Sequence, residues 1–144
     1  MGFFNWLFGK RGDGTTAQSQ PAVIPRISGP DKFAFEVMGE SYYLKSFERL
    51  FGPRQARGID EERTAHLVLD DANPHDNQAV RVEIEGHQVG HLSRADARQF
   101  RAAVIAGGLI QYRRFSCAAA IRGGWDNGDG DKGHYGVRLD LPTS

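Results

Sequence analysis

The chain has 144 residues, 40% of them hydrophobic and 25% charged, a soluble composition sufficient for one modest core and too short for a second full domain. Lys plus Arg and Asp plus Glu both number 18, so the formal net charge is zero, which excludes a protein that coats nucleic acid by bulk charge. The lone Cys117 excludes an intramolecular disulfide and the multi-thiolate zinc sites, and a reducing cytoplasm is the expected setting.

No run approaches the roughly 18 to 20 apolar residues of a membrane-spanning helix, and the start lacks the features of a secretory signal. Residues 1–9 form a short amphipathic aromatic segment: Phe3, Phe4, Leu7 and Phe8 recur at helical spacing with Trp6 between them. Two turns of helix are marginal alone, so this segment needs a membrane surface, a partner groove or its own domain to order it. Residues 10–31, rich in Gly, Ser, Thr, Gln and Pro, read as a flexible linker.

The globular part is expected over 32–142. Phe33, Phe35 and Val37 alternate with polar neighbours as in a half-buried strand closed by Gly39. Tyr42 to Phe51 places Tyr43, Phe47, Leu50 and Phe51 at helical intervals before the stop Gly52-Pro53. Strands follow over Thr64–Leu69 and Ala79–Ile84, bracketing the polar loop Asp70–Asn77, and Glu85-Gly86 turns the chain back into Gln88–Leu92. Ser93 caps a helix that runs through Phe100 and Val104 to Gly107-Gly108. Tyr112–Ile121 and Tyr135–Leu141 complete the strands, joined by a Gly-rich stretch. The order implies a small, mainly β, α+β domain around a curled antiparallel sheet with two short helices.

Two loops carry chemistry. Asn73-Pro74-His75-Asp76-Asn77-Gln78 is a rigid polar turn in which Asx side chains bond nearby amides or present oxygens outward. Gly90-His91-Leu92-Ser93-Arg94 joins a strand to a helix N-terminus, a position that favours anions. Between residues 94 and 122, six arginines oppose only Asp96, a local charge of +5 hidden by the neutral total. Arg94, Arg98 and Arg101 share roughly one helical face and are placed to track a phosphate backbone. The five histidines lack metal-ligand spacing, no Gly-rich phosphate loop with Lys and Ser or Thr exists, and Asp126 to Asp131 miss the EF-hand register. Neither metal, cofactor nor catalysis is expected.

The succession Gly39-Glu40-Ser41-Tyr42-Tyr43, Asn73-Pro74-His75-Asp76-Asn77-Gln78-Ala79-Val80 and Val89-Gly90-His91-Leu92-Ser93-Arg94-Ala95-Asp96-Ala97 resembles the HIRAN domain family over roughly Phe33 to Pro142. That family occurs at the front of helicase-like chromatin remodellers and as small standalone bacterial proteins. The resemblance implies an OB-like antiparallel β-barrel whose pocket captures the free 3′ end of single-stranded DNA in repair or processing. It implies Tyr42 as the stacking aromatic with Tyr43 beside it, and Asp76 as acceptor for the terminal hydroxyl next to Asn73. His91 and Arg94 would contact phosphate, with His75 and Arg98 in the same binding set. His75 stands where DNA-binding members carry a larger aromatic and Ser41 where they carry Arg, so weaker, more salt-sensitive binding is expected. The rival reading is a protein-interaction or membrane-surface adaptor tethered through Phe3, Phe4, Trp6, Leu7 and Phe8.

Overall fold

A computed structural model describes residues 23–130 and 132–142. The aromatic segment 1–9 and the first part of the expected linker lie outside the described residues. In chain order the elements are β1 (Phe35–Met38), α1 (Leu44–Phe51), β2 (Ile59–Asp70), β3 (Ala79–Ile84), β4 (His87–Leu92), α2 (Arg94–Ala106), β5 (Arg114–Gly123) and β6 (Tyr135–Leu139). The six strands close into an antiparallel barrel in the order β1-β4-β3-β2-β5-β6, with β6 returning to β1 through Phe35 opposite Leu139. This is the mainly β, OB-like barrel with two short helices expected from the sequence. Closure matters because it gives every strand a partner on both sides over part of its length, which limits edges open to another chain.

The period-2 alternation fills the interior. Ala65 and Leu67 of β2, Val80, Val82 and Ile84 of β3, and Phe115, Cys117 and Ile121 of β5 are buried in one cluster. Each helix plugs this core with an aromatic ring. Phe100 of α2 meets the Phe115 ring edge-on at 5.2 Å, and Phe47 of α1 stacks on Tyr135 at 4.3 Å. Burying each such side chain contributes roughly 1.5–3 kcal/mol. At the start of α2, Ser93 Oγ accepts the Asp96 amide at 3.1 Å, so the expected cap is in place.

Several boundaries differ from the sequence reading. β1 begins at Phe35 because Asp31 and Phe33 adopt positive φ, 69° and 48°, and this turn aims its amides at the buried Asp140, whose Oδ1 accepts from Asp31, Lys32 and Phe33. The helix expected over Tyr42–Phe51 is split: Glu40–Tyr43 form a 3-10 turn, and α-helical geometry starts at Leu44. β2 extends back to Ile59 through the charged run Asp60–Arg63, which pairs with β5 residue by residue up to Ile59 opposite Gly123. Backbone pairing, not side-chain burial, makes that half a strand. β5 is shifted to Arg114–Gly123, since Tyr112 turns back to bond the Leu109 carbonyl, and β6 stops at Leu139. The end of the expected linker is also part of the fold. Pro25 and Ile27 bond the Ser116 backbone beyond the reach of β6, and Ile27 is buried in the core.

Candidate functional site

The loop between β2 and β3 is held by its own side chains. Asn73 Oδ1 accepts the amides of His75 and Asp76 at 2.8 and 3.2 Å, and Asp76 Oδ1 accepts that of Gln78 at 3.0 Å. These are successive Asx turns, the geometry that Asn and Asp favour because a short side chain can replace a backbone carbonyl. Asn73 Nδ2 donates to Asp70 at 3.2 Å, tying the loop to the end of β2. From α2, Arg101 spans the loop's other end, donating to the Gln78 and Ala79 carbonyls at 2.7 and 2.8 Å and to Asp71 at 2.8 Å. Pinned in this way, Arg101 is 13% exposed and does not continue the solvent-facing row expected with Arg94 and Arg98.

Asp76 is the convergence point. Its Oδ2 and Oδ1 accept from Arg98 at 3.3 and 3.4 Å, and the Arg94 guanidinium lies 3.7 Å from Oδ2. The Gln78 amide first, and the arginines after it, hold the carboxyl below its usual range, so it remains an ionised acceptor at neutral pH. A carboxylate offers about four acceptor positions. The arginine contacts are at the long end of hydrogen bonding, and the Asp76 side chain is 13% exposed. Arg94 and Arg98 are 73% and 49% exposed. The rest of the basic window is drawn into pairs: Arg113 with Asp71, Arg114 with Glu83 and His66, and Arg122 with Asp60. The +5 window is therefore no continuous cationic face.

On the neighbouring surface, Gly39 takes φ 82° and starts the 3-10 turn, which leaves Tyr42 85% exposed. Tyr43 is half-buried, its ring 6.2 Å from that of His91. The Gln88 amide donates to Tyr43 Oη at 3.1 Å and lies 3.2 Å from His91 Nε2. His91 sits on β4 opposite Met38 of β1 and Arg81 of β3. The preceding Gly90 permits that approach, since a Cβ there would stand 2.4 Å from the Met38 carbonyl oxygen. Burial first, and Arg81 after it, push the His91 imidazole below its usual value against the pull of Asp70, so the ring is neutral at pH 7.

Arg81 completes the connection, bonding Glu83 at 2.7 Å and reaching Asp70 at 3.5 Å. Hydrogen bonds and ion pairs run from Tyr43 through Gln88 to His91 and from Arg81 through Asp70, Asn73 and Asp76 to Arg98, with His91 and Arg81 cross-strand partners between the two runs. Of the sequence candidates, Tyr43, Asn73, Asp76, His91, Arg94 and Arg98 are thus brought together. Tyr42 and His75 stand exposed beside them, and the His75 ring has no hydrogen-bond partner among the described residues. Gln88, Arg81 and Asp70 were missed. Their only signal is outward placement on strands, which any solvated strand shares. The pocket expected around Asp76 is neither of the two clefts, of about 490 and 240 Å³, that lie at the ends of α1.

Among the described residues no cluster of His, Cys, Asp and Glu is able to hold a metal ion, and no helix is long and apolar enough to cross a membrane. A family model for the HIRAN domain matches residues 31–117, more than half of the chain. No curated protein and no solved structure matches.

Proposed function

The chain belongs to the HIRAN domain family, a family of DNA-binding domains, and from that premise we propose that it binds the free 3′ end of single-stranded DNA as a non-catalytic module of DNA repair or processing. The reading carries the cytoplasm as its setting, on the strength of the single unpaired thiol. Tyr42 offers an exposed ring on which the terminal base stacks, an interaction worth about 1–3 kcal/mol. His75 stacks a base with less area than a larger aromatic would. Asp76 accepts a hydrogen bond from the terminal hydroxyl, and a strand continuing past that point has no hydroxyl to donate. Arg94 and Arg98, flanking the same carboxylate, and His91 face the terminal phosphates. Tyr43 and Asn73 act by position, the first ordering His91 through Gln88 and the second holding the loop amides.

The observation that carries this reading is the junction at Asp76, where an ionised carboxylate, 13% exposed, stands between two solvent-exposed guanidiniums. An acceptor for a hydroxyl and cations for the adjoining phosphate are the two groups that a nucleic-acid end requires. The test is an anisotropy titration with 5′-labelled oligonucleotides that end in a 3′ hydroxyl or a 3′ phosphate, at low salt. The hydroxyl end should bind about tenfold more tightly, the scale of one hydrogen bond to a charged group. Equal affinities would refute hydroxyl recognition, and no binding of either would refute the nucleic-acid reading.

A further inference from the structure

α1 has a cleft at each end. The smaller, about 240 Å³, is lined by Gly39, Glu40, Ser41, Leu44, His134 and Tyr135, and so begins one residue from Tyr42. The larger, about 490 Å³, lies past the helix C-terminus, with Phe51, Arg54, Arg57, Ile59 and again Tyr135 in its wall. Tyr135, itself 5% exposed, lines both, so the two clefts flank one buried ring and form an interrupted groove along α1, whose eight residues rise about 12 Å.

The unpaired charges of the clefts are Arg54 and Arg57 against Glu40, a net of +1 among the described residues. Arg54 donates to the Gly133 carbonyl at 2.7 Å and lies 4.7 Å over the Tyr135 ring, and Arg57 is exposed; neither forms an ion pair among the described residues. The acids of the larger cleft are already matched, Asp60 to Arg122 at 2.9 Å and Glu61 to Arg63 at 2.7 Å. Glu40, the acid of the smaller one, accepts the Val137 amide at 3.1 Å. An aromatic stands close by: Trp125, 39% exposed, is bridge-paired to Gln55 of the cleft wall. An exposed guanidinium, that of Arg57, beside an accessible ring is the kind of element with which OB barrels hold a single strand, commonly over roughly 4–16 nucleotides, more than a terminal contact engages.

We propose that this groove holds the nucleotides lying 5′ of the captured end on the same DNA strand, with Arg57 as a phosphate ligand. The inference rests on the 3′-end reading for its direction. The test compares a thymidine dinucleotide with a thymidine decamer, both ending in a 3′ hydroxyl, on the full chain and on its Arg57→Glu variant, with a thermal melt to show that the variant is folded. The variant should weaken the decamer roughly fivefold or more and flatten its log K against log salt slope by about 0.7 for each phosphate no longer neutralised, leaving the dinucleotide unchanged. Equal affinities of decamer and dinucleotide for the wild-type chain, or a variant that leaves the decamer unaffected or weakens both alike, would overturn the groove. A dinucleotide without preference for the 3′ hydroxyl, alongside a decamer that still depends on Arg57, would strike the 3′-end reading and leave the groove standing.

Discussion

Replacing Arg101 by Ala separates structural arginines from binding ones. Its guanidinium makes two bonds to backbone carbonyls, at 2.7 and 2.8 Å, and one to Asp71, with the side chain 13% exposed. A hydrogen bond to a charged group contributes about 1.5–3 kcal/mol, less where water can take the vacated position. Asp71 is 57% exposed, and its pair adds about 0–1 kcal/mol. Gln78 is exposed and its carbonyl is rehydrated in the variant, whereas Ala79 is buried. The net cost should be about 2–3 kcal/mol, lowering the melting temperature of a domain this size by roughly 8–12 °C. Urea and thermal unfolding of the full chain measure it. Arg101→Lys should recover less than half of the deficit, because one ammonium cannot span both carbonyls. The loop that presents Asp76 also loses its anchor, so preference for a 3′ hydroxyl should fall with stability. Arg98→Ala, by contrast, should weaken all oligonucleotides while melting near the parental temperature. An Arg101→Ala protein within about 0.5 kcal/mol of the parent, the range of solvated surface substitutions, would refute this reasoning.

Gly90→Ala should destabilise by more than about 2 kcal/mol or prevent folding, since the new Cβ meets the β1 backbone where β4 pairs with β1; a parental melting curve would contradict that. Burial keeps His91 neutral in the free protein, whereas a bound phosphate favours the imidazolium, so binding takes up a proton. Affinity should therefore rise as pH falls below the usual histidine value of 6.5, and His91→Gln should flatten the profile; identical profiles would remove His91 from the phosphate ligands. Cys117, with its thiol pushed up to about 12 by burial, should resist a thiol reagent at pH 8 until the chain is unfolded, and prompt labelling of the native protein would contradict its place in the core.

What could be read in the sequence follows from where the information sits. Ala79–Ile84 and the Ser93 cap declare themselves because alternation and capping are local, and the Glu85-Gly86 turn brings β3 and β4 together within a few residues. The start of β2 does not, because Asp60, Glu61 and Glu62 face water and owe their strand geometry to partners about sixty residues away. Nor does the role of Asp140, which gathers three amides from a turn more than a hundred residues earlier. At the site, the Asx turns of Asn73 and Asp76 were legible as turn chemistry, and the family pattern singled out Tyr42, His91 and Arg94. The distinction between Arg98 and Arg101 was not, since both lie on one side of α2 and only the folded β2–β3 loop decides which guanidinium is clasped. Arg81 and Gln88 gain meaning only once β3 and β4 lie beside β1 and the turn bearing Tyr43.

The claim on which the rest depends is that a strand end comes to the Asp76 carboxylate, and backbone amide NMR of the full chain titrated with a thymidine dinucleotide tests it most directly. The amides of His75, Asp76 and Gln78, which bond the Asn73 and Asp76 side chains, should shift together with that of His91. A 3′-phosphorylated dinucleotide should leave them much less changed at the same concentration. Shifts confined to other faces of the barrel, with residues 73–78 and His91 unmoved, would contradict the account.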